Sequence, residues 1–300
     1  MLSARKRLDR AYAEAKIVDF DDSSKFIFFS DCHRGDNSFA DDFANNRNIY
    51  FHALKHYHEG GFSYCEIGDG DELWENLSFD AIFNAHKNVY MLMKLFHQDK
   101  RLHMIWGNHD MVYRNPEYVE KHLSTYIDPK TEEDVELFCN IEYYEGIVLK
   151  HVKTKQELFL THGHQADWWN YLFWKWSRFM VRVLWKPLNV MGIADPTSPA
   201  KNYKELIKVE RRIKKWIAEN KNRLTIVGHT HRPRFPEPGD LAFFNDGSCV
   251  HPRSITGIEI ENGEISLIKW QIATTDDGTL KIVRVLLEGP QKLSDYITEE

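Results

Sequence analysis

Residues 25–36 read KFIFFSDCHRGD, an apolar run followed at once by polar and charged side chains. The apolar half predicts a buried strand. Asp31 and His33 then stand two positions apart just past the strand end, where they can present an oxygen and a nitrogen to one metal ion. Because an isolated pair of this kind is common by chance, its meaning depends on whether later strand ends supply the remaining ligands.

Two further segments repeat this pattern of a strand, a polar loop and a helix. Predicted strands at 62–67 and 102–106 end in GDGDE and GNHD, and helices are predicted over 39–57 and 79–97. Three such units in a row predict a mostly parallel sheet with helices packed on it. Open α/β sheets place their chemistry at the carboxyl ends of the strands, where all three polar clusters fall.

The second half of the chain continues with shorter strands. Predicted strands at 157–160 and 224–227 end in THGH and GHTH, and the first of them pairs with a strand over 141–151. The remaining residues predict short strands with a hairpin turn at Asn262-Gly263. Five clusters in all place Asp, Asn or His after an apolar strand and a glycine-containing turn, which turn chemistry alone does not explain.

Length and composition predict a cytoplasmic protein with a substantial core. The 300 residues are 42% hydrophobic, which is sufficient for one large domain or two small ones. The four cysteines lie far apart with no C-x-x-C spacing, which predicts reduced thiols and a cytoplasmic location. Residues 1–20 lack the apolar core of a signal peptide and predict an amphipathic helix. The net charge of −6 argues against a general nucleic-acid coat.

In composition and order the five clusters resemble the calcineurin-like metallophosphoesterase superfamily, whose pattern is D-x-H, G-D-x-x-[DE], G-N-H-[DE], a lone His and G-H-x-H. The resemblance spans about residues 25–250. It implies an α/β fold, an αββα sandwich of two packed mixed sheets flanked by helices. It also implies two metal positions that share one carboxylate. The first position would be held by Asp31, His33, Asp69 and His231, and the second by Asp69, Asn108, His162 and His229.

The resemblance further implies hydrolysis of a phosphate mono- or diester by a hydroxide that bridges two divalent ions. Imidazole and oxygen ligands without a thiolate favour Mn²⁺, with Fe, Zn²⁺ or Ni²⁺ as alternatives. His109 would protonate the leaving alkoxide, and Glu72 matches the acidic residue that orients this histidine. The other interpretation of Glu72 is an ordinary surface acid in a turn.

Three further side chains are candidates for contacts to the phosphoester substrate. Arg34 and Arg114 can each bind a phosphate through two parallel N–H groups of the guanidinium. Surface salt bridges are the common alternative for both. His164 is a candidate for a substrate contact or, equally, for a solvated histidine.

A helical insert over 165–222 is predicted within a single domain that spans 1–300. The insert contains six tryptophans and a charged helix over 201–221, and residues 168–223 carry a net charge of +9. Within 168–191 four cations share one helix face, namely Lys175, Arg178, Arg182 and Lys186. This segment predicts a cap over a bulky or amphipathic substrate, an interfacial helix that contacts anionic membrane, a dimer contact, or ordinary packing with snorkelling cations.

The insert is similar to that of the UDP-diacylglucosamine pyrophosphatases, although that branch commonly has arginine where this chain has His109. The alternative functions are a pyrophosphatase of this type, a serine/threonine-type protein phosphatase, a non-enzymatic scaffold and a nuclease. A nuclease is disfavoured because no strand surface of basic and aromatic residues is recognisable, so no nucleic-acid partner is expected. The sequence leaves the oligomeric state open.

Overall fold

The computed structural model describes residues 3–128, 130–167, 181 and 203–296. Its described helices are α1 (Ala4–Ala13), α2 (Arg47–Glu59), α3 (Phe79–Ala85), α4 (Lys87–Gln98), α5 (Pro116–Leu123) and α6 (Tyr203–Glu219). Its described strands are β1 (Lys16–Phe20), β2 (Phe26–Phe29), β3 (Ser63–Ile67), β4 (Leu102–Ile105), β5 (Thr125–Ile127), β6 (Asp134–Glu136), β7 (Tyr143–Tyr144), β8 (Gly146–His151), β9 (Glu157–Thr161), β10 (Leu224–Val227), β11 (Phe243–Asn245), β12 (Ser254–Glu261), β13 (Glu264–Thr274) and β14 (Leu280–Lys292).

Two mixed sheets form the centre of the protein, as the sequence predicts. Within the described ranges, the smaller sheet has five strands in the order β1-β8-β9-β10-β11, and the larger has seven in the order β14-β13-β12-β2-β3-β4-β7. Strands β2, β3, β4 and β7 run parallel, as do β9, β10 and β11, whereas β12, β13 and β14 are antiparallel. The predicted Asn262-Gly263 turn joins β12 to β13, and both of its residues have positive φ.

Strand β2 shows why residues 26–29 are apolar throughout. Successive side chains of a strand point to opposite faces of the sheet. Phe26 and Phe28 lie in the core between the two sheets, while Ile27 and Phe29 lie in the core between the larger sheet and helices α2 to α5. Burying each such side chain stabilises the fold by roughly 1.5–3 kcal/mol. Both faces are covered, so the apolar run has no alternation.

Helices α1 and α6 cover the outer face of the smaller sheet. Trp216 of α6 is 1% exposed, packs on Phe159 of β9 and donates from Nε1 to Asp9 Oδ1 (2.8 Å). This tryptophan of the predicted insert is therefore part of the core. The other five tryptophans and the predicted 168–191 helix with its cationic face lie outside the described residues. No helix in the described ranges is long and apolar enough to cross a membrane.

Two predicted helices are shorter than the sequence pattern indicates. The first begins at Arg47 and not at 39, because the Asp41 carboxylate accepts hydrogen bonds from the backbone N–H groups of Asn37, Phe43 and Ala44. Such local bonds compete with helix formation. The second is divided into α3 and α4 at His86, whose buried Nε2 bonds the same Asp41 (2.8 Å). One aspartate thus fixes the loop that follows the first polar cluster.

Candidate metal centre

The proposed ligands lie together just past the carboxyl ends of β2, β3, β4, β9 and β10. Backbone hydrogen bonds join their loops beyond the regular sheets. The N–H of Asp31 donates to Gly68 O, and that of Gly228 donates to His162 O, both at 3.1 Å. The fold therefore brings side chains from distant parts of the sequence into contact, such as those of His33 and His231, which are 198 positions apart.

Five of the ligand residues have left-handed backbone conformations. The φ angles are 49° at Asp31, 47° at His33, 51° at Asp69, 64° at His229 and 55° at His231. Sparsely populated conformations of this kind cost roughly 1–3 kcal/mol each and persist only where the surrounding structure holds them. These sharp turns direct the side chains toward the edge formed by the carboxyl ends of the strands. Part of the folding free energy is therefore stored as backbone strain at this site.

Glycines next to the ligands allow these loops to approach closely. A Cβ on Gly107 would lie 2.2 Å from Asp69 Oδ1, and one on Gly228 would lie 2.5 Å from Asp31 Oδ2. Any larger residue would push a ligand carboxylate out of place. The glycines in the GNHD and GHTH clusters are thus explained by the space that the carboxylates occupy.

The first candidate metal position groups Asp31, His33 and His231. His231 Nε2 lies 3.0 Å from Asp31 Oδ1, and His33 Nε2 lies 3.8 Å from the same oxygen. The two Nε2 atoms are 3.4 Å apart. One oxygen and two nitrogens therefore converge within the distances that ligands of a single ion keep from one another.

The carboxylate of Asp31 is oriented by its neighbours. Its Oδ2 accepts from Ser30 Oγ (2.5 Å) and from the backbone N–H of His229 (2.8 Å). Its Oδ1 is buried and has no hydrogen bond of good geometry within the described part of the chain, although His231 Nε2 lies 3.0 Å away. A buried carboxylate oxygen without a donor is unfavourable unless a cation binds it. Oδ1 is thus presented toward the two imidazoles, as a metal ligand requires.

The second candidate metal position groups Asp69, His162 and His229, and Asn108 lies beside them. His162 Nε2 lies 3.2 Å from Asp69 Oδ2 and 3.3 Å from Asn108 Oδ1. His162 Nδ1 is 2.8 Å from the carbonyl oxygen of Ile67, to which it donates, so the neutral ring keeps its lone pair on Nε2. The ligand atoms of Asp69, His162 and His229 all lie within 4.8 Å of one another.

Asp69 connects the two positions through one oxygen. Its Oδ1 accepts the backbone N–H of His109 (2.8 Å), which fixes the carboxylate. Its Oδ2 lies 3.2 Å from His162 Nε2 at the second position and 3.9 Å from His33 Nε2 at the first. The geometry therefore fits the shared carboxylate that the sequence predicts.

Opposite charges dominate the electrostatics of the centre. Burial raises the pKa of the Asp31 carboxyl, but the imidazoles of His231 and His162 outweigh it and hold that pKa well below its ordinary value. Burial lowers the pKa of His162, but the carboxylates of Asp69 and Asp31 raise it to about 9. Without a metal, protonated imidazoles thus supply the positive charge that the buried carboxylates need.

The donor set fits divalent transition metals. Each position combines imidazole nitrogens with carboxylate or amide oxygens, and none of the proposed ligands is a thiolate. Such mixed sets suit Mn²⁺, Fe, Zn²⁺ and Ni²⁺. The free Cys32 lies between Asp31 and His33 in the sequence but is fully buried, and its Sγ lies 3.9 Å from Ser30 O and Glu66 Oε2.

Glu72 contacts two histidines of the centre. Its carboxylate accepts from His109 Nδ1 at 2.7 Å and from His33 Nδ1 at 2.9 Å. Burial opposes the charged form, but His109 and His33 lower the pKa of Glu72 to about 2. The alternative of a surface acid is excluded because Glu72 is 8% exposed. Glu72 therefore contacts a candidate ligand of the first position as well as His109, and the sequence did not predict the contact to His33.

The substrate contact predicted for Arg34 is wrong. Arg34 is 1% exposed, and its guanidinium forms ion pairs with Glu66 (2.6 Å) and Asp71 (2.8 Å). Tyr90 also contacts it, with Oη 3.2 Å from Nε. These partners use the hydrogen-bonding groups of the buried guanidinium. Through Asp71 the guanidinium links the first polar loop to the second. Because Arg34 follows His33 in the sequence, a contact near the metal ligands was expected. The sequence did not reveal that the Arg34 side chain points into the core.

The other two predicted substrate contacts stay predictions. Arg114 ends a short 3₁₀ turn after the GNHD cluster, and its side chain is exposed. His164 is fully buried beside His162, with ring centroids 5.4 Å apart. Burial together with the positive charges of His162 and His229 lowers the pKa of His164 well below its ordinary value. The alternative of a solvated histidine is therefore excluded for His164.

Sequence reasoning missed three side chains of the centre. Asp246 follows β11 and bonds Ser30 Oγ at 2.7 Å. Burial and the charge of Asp31 raise the pKa of Asp246 well above its ordinary value, so a neutral carboxyl supports the charged one. Trp74 stacks on His109, with ring centroids 4.1 Å apart. Asp167 contacts His229. Of these three residues, only Asp246 could have been predicted from the sequence. Residues 243–247 read FFNDG, which repeats the pattern of an apolar strand followed by Asp and Gly.

No protein-family model matches the chain, and no curated protein matches it either. The solved structures to which it is similar include three Vps29 proteins. Vacuolar Protein Sorting 29 from Cryptosporidium parvum is 13% identical, with 89% of this chain and 98% of that chain covered and a TM-score of 0.37. Vps29 from Chaetomium thermophilum is 11% identical (88% and 96% covered, TM-score 0.39). Vps29 complexed with Zn²⁺ from Entamoeba histolytica is 15% identical (87% and 98% covered, TM-score 0.37). These values are too low to support a functional inference.

Proposed function

We propose that this chain is a metal-dependent phosphoesterase of the calcineurin-like superfamily, which hydrolyses a phosphate mono- or diester at a centre for two divalent ions. The observation that carries the proposal is the position of Asp69 Oδ2, which lies between the histidines of two ligand groups. A shared carboxylate oxygen is suited to holding two ions about 3.5–4 Å apart, the separation found in two-metal hydrolases.

The side chains of this centre would hold the two ions and leave the chemistry of the bound ions to act on the substrate. When bound, two divalent ions polarise the phosphoryl oxygens and supply a nucleophile from water near neutral pH. Asp31, His33 and His231 would hold one ion, and Asn108, His162 and His229 the other, with Asp69 shared. Mn²⁺ is the proposed metal, with Fe, Zn²⁺ and Ni²⁺ as alternatives.

His109 is proposed to assist the leaving group. Its Nδ1 is bonded to Glu72, so Nε2 is the atom that can donate a proton to the departing oxygen. Stacking on Trp74 with an interplanar angle of 20° restricts rotation of the imidazole. The ring is therefore held in one orientation before a substrate arrives.

Metal analysis with a panel of phosphoesters tests the proposal. The metal-loaded protein is expected to hold two ions per chain and to hydrolyse p-nitrophenyl phosphate or its bis ester. A pyrophosphate-linked nucleotide and a phosphopeptide belong in the panel, because they separate the alternative activities. Two bound ions without turnover of any substrate would contradict the proposal and favour a scaffold.

Removing the His109 side chain tests the role proposed for it. His109→Ala should retain both ions and slow esters with poor leaving groups by about 10²–10⁴-fold, with a much smaller effect on p-nitrophenyl esters. Rates across a leaving-group series measure this, with exposed His52→Ala as the matched control. An equal loss for good and poor leaving groups would count against proton donation.

We also propose that the substrate is bulky or amphipathic, as the aromatic and cationic residues of 168–191 suggest. These residues lie outside the described part of the chain, so the proposal stands on the sequence alone. A long-chain alkyl phosphodiester in the substrate panel, compared with its methyl counterpart, tests it. Equal kcat/KM for both would contradict it.

A further inference from the structure

His229 is held at both its backbone and its ring. Its N–H donates to Asp31 Oδ2 (2.8 Å), which fixes the backbone of this ligand against the first metal position. Its ring Nε2 lies 3.3 Å from Asp167 Oδ2. Asp167 is 8% exposed, so its carboxylate is largely removed from water. A buried carboxylate is stable only when charged or hydrogen-bonding partners surround it, and His229 is one such partner.

We infer that Asp167 is a positioning residue for the second metal position, where it fixes the ring of His229. The inference rests on the proposed function, in which this position binds an ion. With Nε2–H donating to Asp167, the lone pair of the neutral ring remains on Nδ1. Among the described residues, the ligand atoms of Asp69, His162 and His229 lie within 4.8 Å of one another, and Asp167 is not a member of this group. The carboxylate therefore acts through the imidazole and not as a ligand.

The two histidines of the second position are thus oriented by different kinds of acceptor. His162 donates from Nδ1 to the backbone carbonyl of Ile67, and His229 donates from Nε2 to a side-chain carboxylate. A carboxylate behind a metal-bound imidazole raises its basicity and fixes its tautomer, and its loss typically weakens metal binding by about 10–100-fold. The contribution of Asp167 can be removed by substitution, whereas that of Ile67 O cannot.

Two arginines, from helices that are distant in the sequence, bond the backbone of the turn before Asp167. Residues His164–Ala166 form a 3₁₀ turn directly before it. Arg7 of α1 donates from Nε to Gln165 O (2.6 Å), and Arg212 of α6 donates from Nη1 to Ala166 O (2.8 Å). The backbone N–H of Asp167 closes the turn on His164 O (2.9 Å). The backbone turn that carries Asp167 is therefore held by helices on the outer face of the smaller sheet.

Metal affinities measured at one position at a time test the inference. His231→Ala leaves the second position as the main site, and His162→Ala leaves the first. In the His231→Ala background, Asp167→Ala should weaken Mn²⁺ binding by about 10–100-fold, as measured by calorimetry against a competing chelator. Asp167→Asn, which retains an acceptor oxygen, should weaken it less. In the His162→Ala background, Asp167→Ala should leave the affinity unchanged.

Two results would overturn the inference. One is an unchanged affinity of the second position in Asp167→Ala, and the other is an equal loss at both positions, which would indicate general damage. Exposed Asp276→Asn is the matched control, and the melting temperature of the metal-free Asp167→Ala protein shows that the fold is kept. If the wild-type chain binds no ion, the proposed function and the inference both fail. If the wild type binds two ions and Asp167→Ala does not change the metal affinity of the second position, only the inference fails.

Discussion

The two metal positions differ in burial although the same kind of sequence pattern builds both. At the second position the side chains of His162 and His229 are 0% and 2% exposed, whereas those of His33 and His231 at the first are 12% and 18% exposed. Water reaches the first position, and the second lies beneath it. An ion at the second position should therefore exchange slowly, and one at the first should exchange faster.

The supporting hydrogen bonds differ as well. At the first position the ring of His33 is oriented by the Glu72 carboxylate, which also serves His109. At the second, His162 is oriented by a backbone carbonyl and His229 by Asp167. Substitution of a supporting side chain should thus be able to weaken one position at a time, whereas substitution of Asp69 should affect both.

The largest expected effect is that of Asp69→Asn. Asparagine retains an acceptor for the backbone N–H of His109 but removes the negative charge that both positions share. We expect loss of both ions and of phosphoesterase activity together, measured by elemental analysis after dialysis and by turnover. The exposed Asp42→Asn is the control. Retention of ions at both positions would refute the shared carboxylate.

Glu72→Gln should separate the two positions. A glutamine lacks the negative charge with which the carboxylate holds both His33 and His109. Affinity at the first position should fall by about 10–100-fold while that of the second is unchanged, as measured by stepwise metal titration. Exposed Glu237→Gln is the matched control. Equal weakening at both positions would show that they are not supported independently.

The smallest effect is a pH dependence of stability that differs between the metal-free and metal-loaded proteins. The pKa of His162 is about 9 in the folded metal-free chain, above its ordinary value, and that of His33 is raised too. The resulting stabilisation is present below about pH 6.5 and is lost as the pH rises through about 9.

The melting temperature of the metal-free protein should therefore fall across this pH window. Metal binding requires neutral imidazoles, so the affinity for metal should rise as the protons leave, and the metal-loaded protein should not show the same decline. Calorimetric scans at fixed free Mn²⁺ and with chelator measure both curves. Parallel curves would show that these imidazoles do not bind the ions.

Much of the fold could be predicted because the strands at the centre are short and apolar. Strands β2, β3, β4, β9 and β10 lie within a residue or two of their predicted bounds. Strand β1 (Lys16–Phe20) was missed, because it is an edge strand with Ile17 59% exposed and so lacks a continuous apolar pattern. The helix predicted over 39–57 was too long, since Asp41 forms side-chain bonds that no periodicity reveals.

The sequence by itself determined which strands carry polar loops and which side chains could bind metal, since residue types and glycine spacing are local properties. Only the tertiary structure decided that Arg34 points into a buried ion pair, that Glu72 contacts two histidines, and that Asp167 supports His229. These roles depend on side-chain direction at left-handed turns and on contacts between distant segments. No local pattern specifies such contacts, because they form only when both sheets have packed.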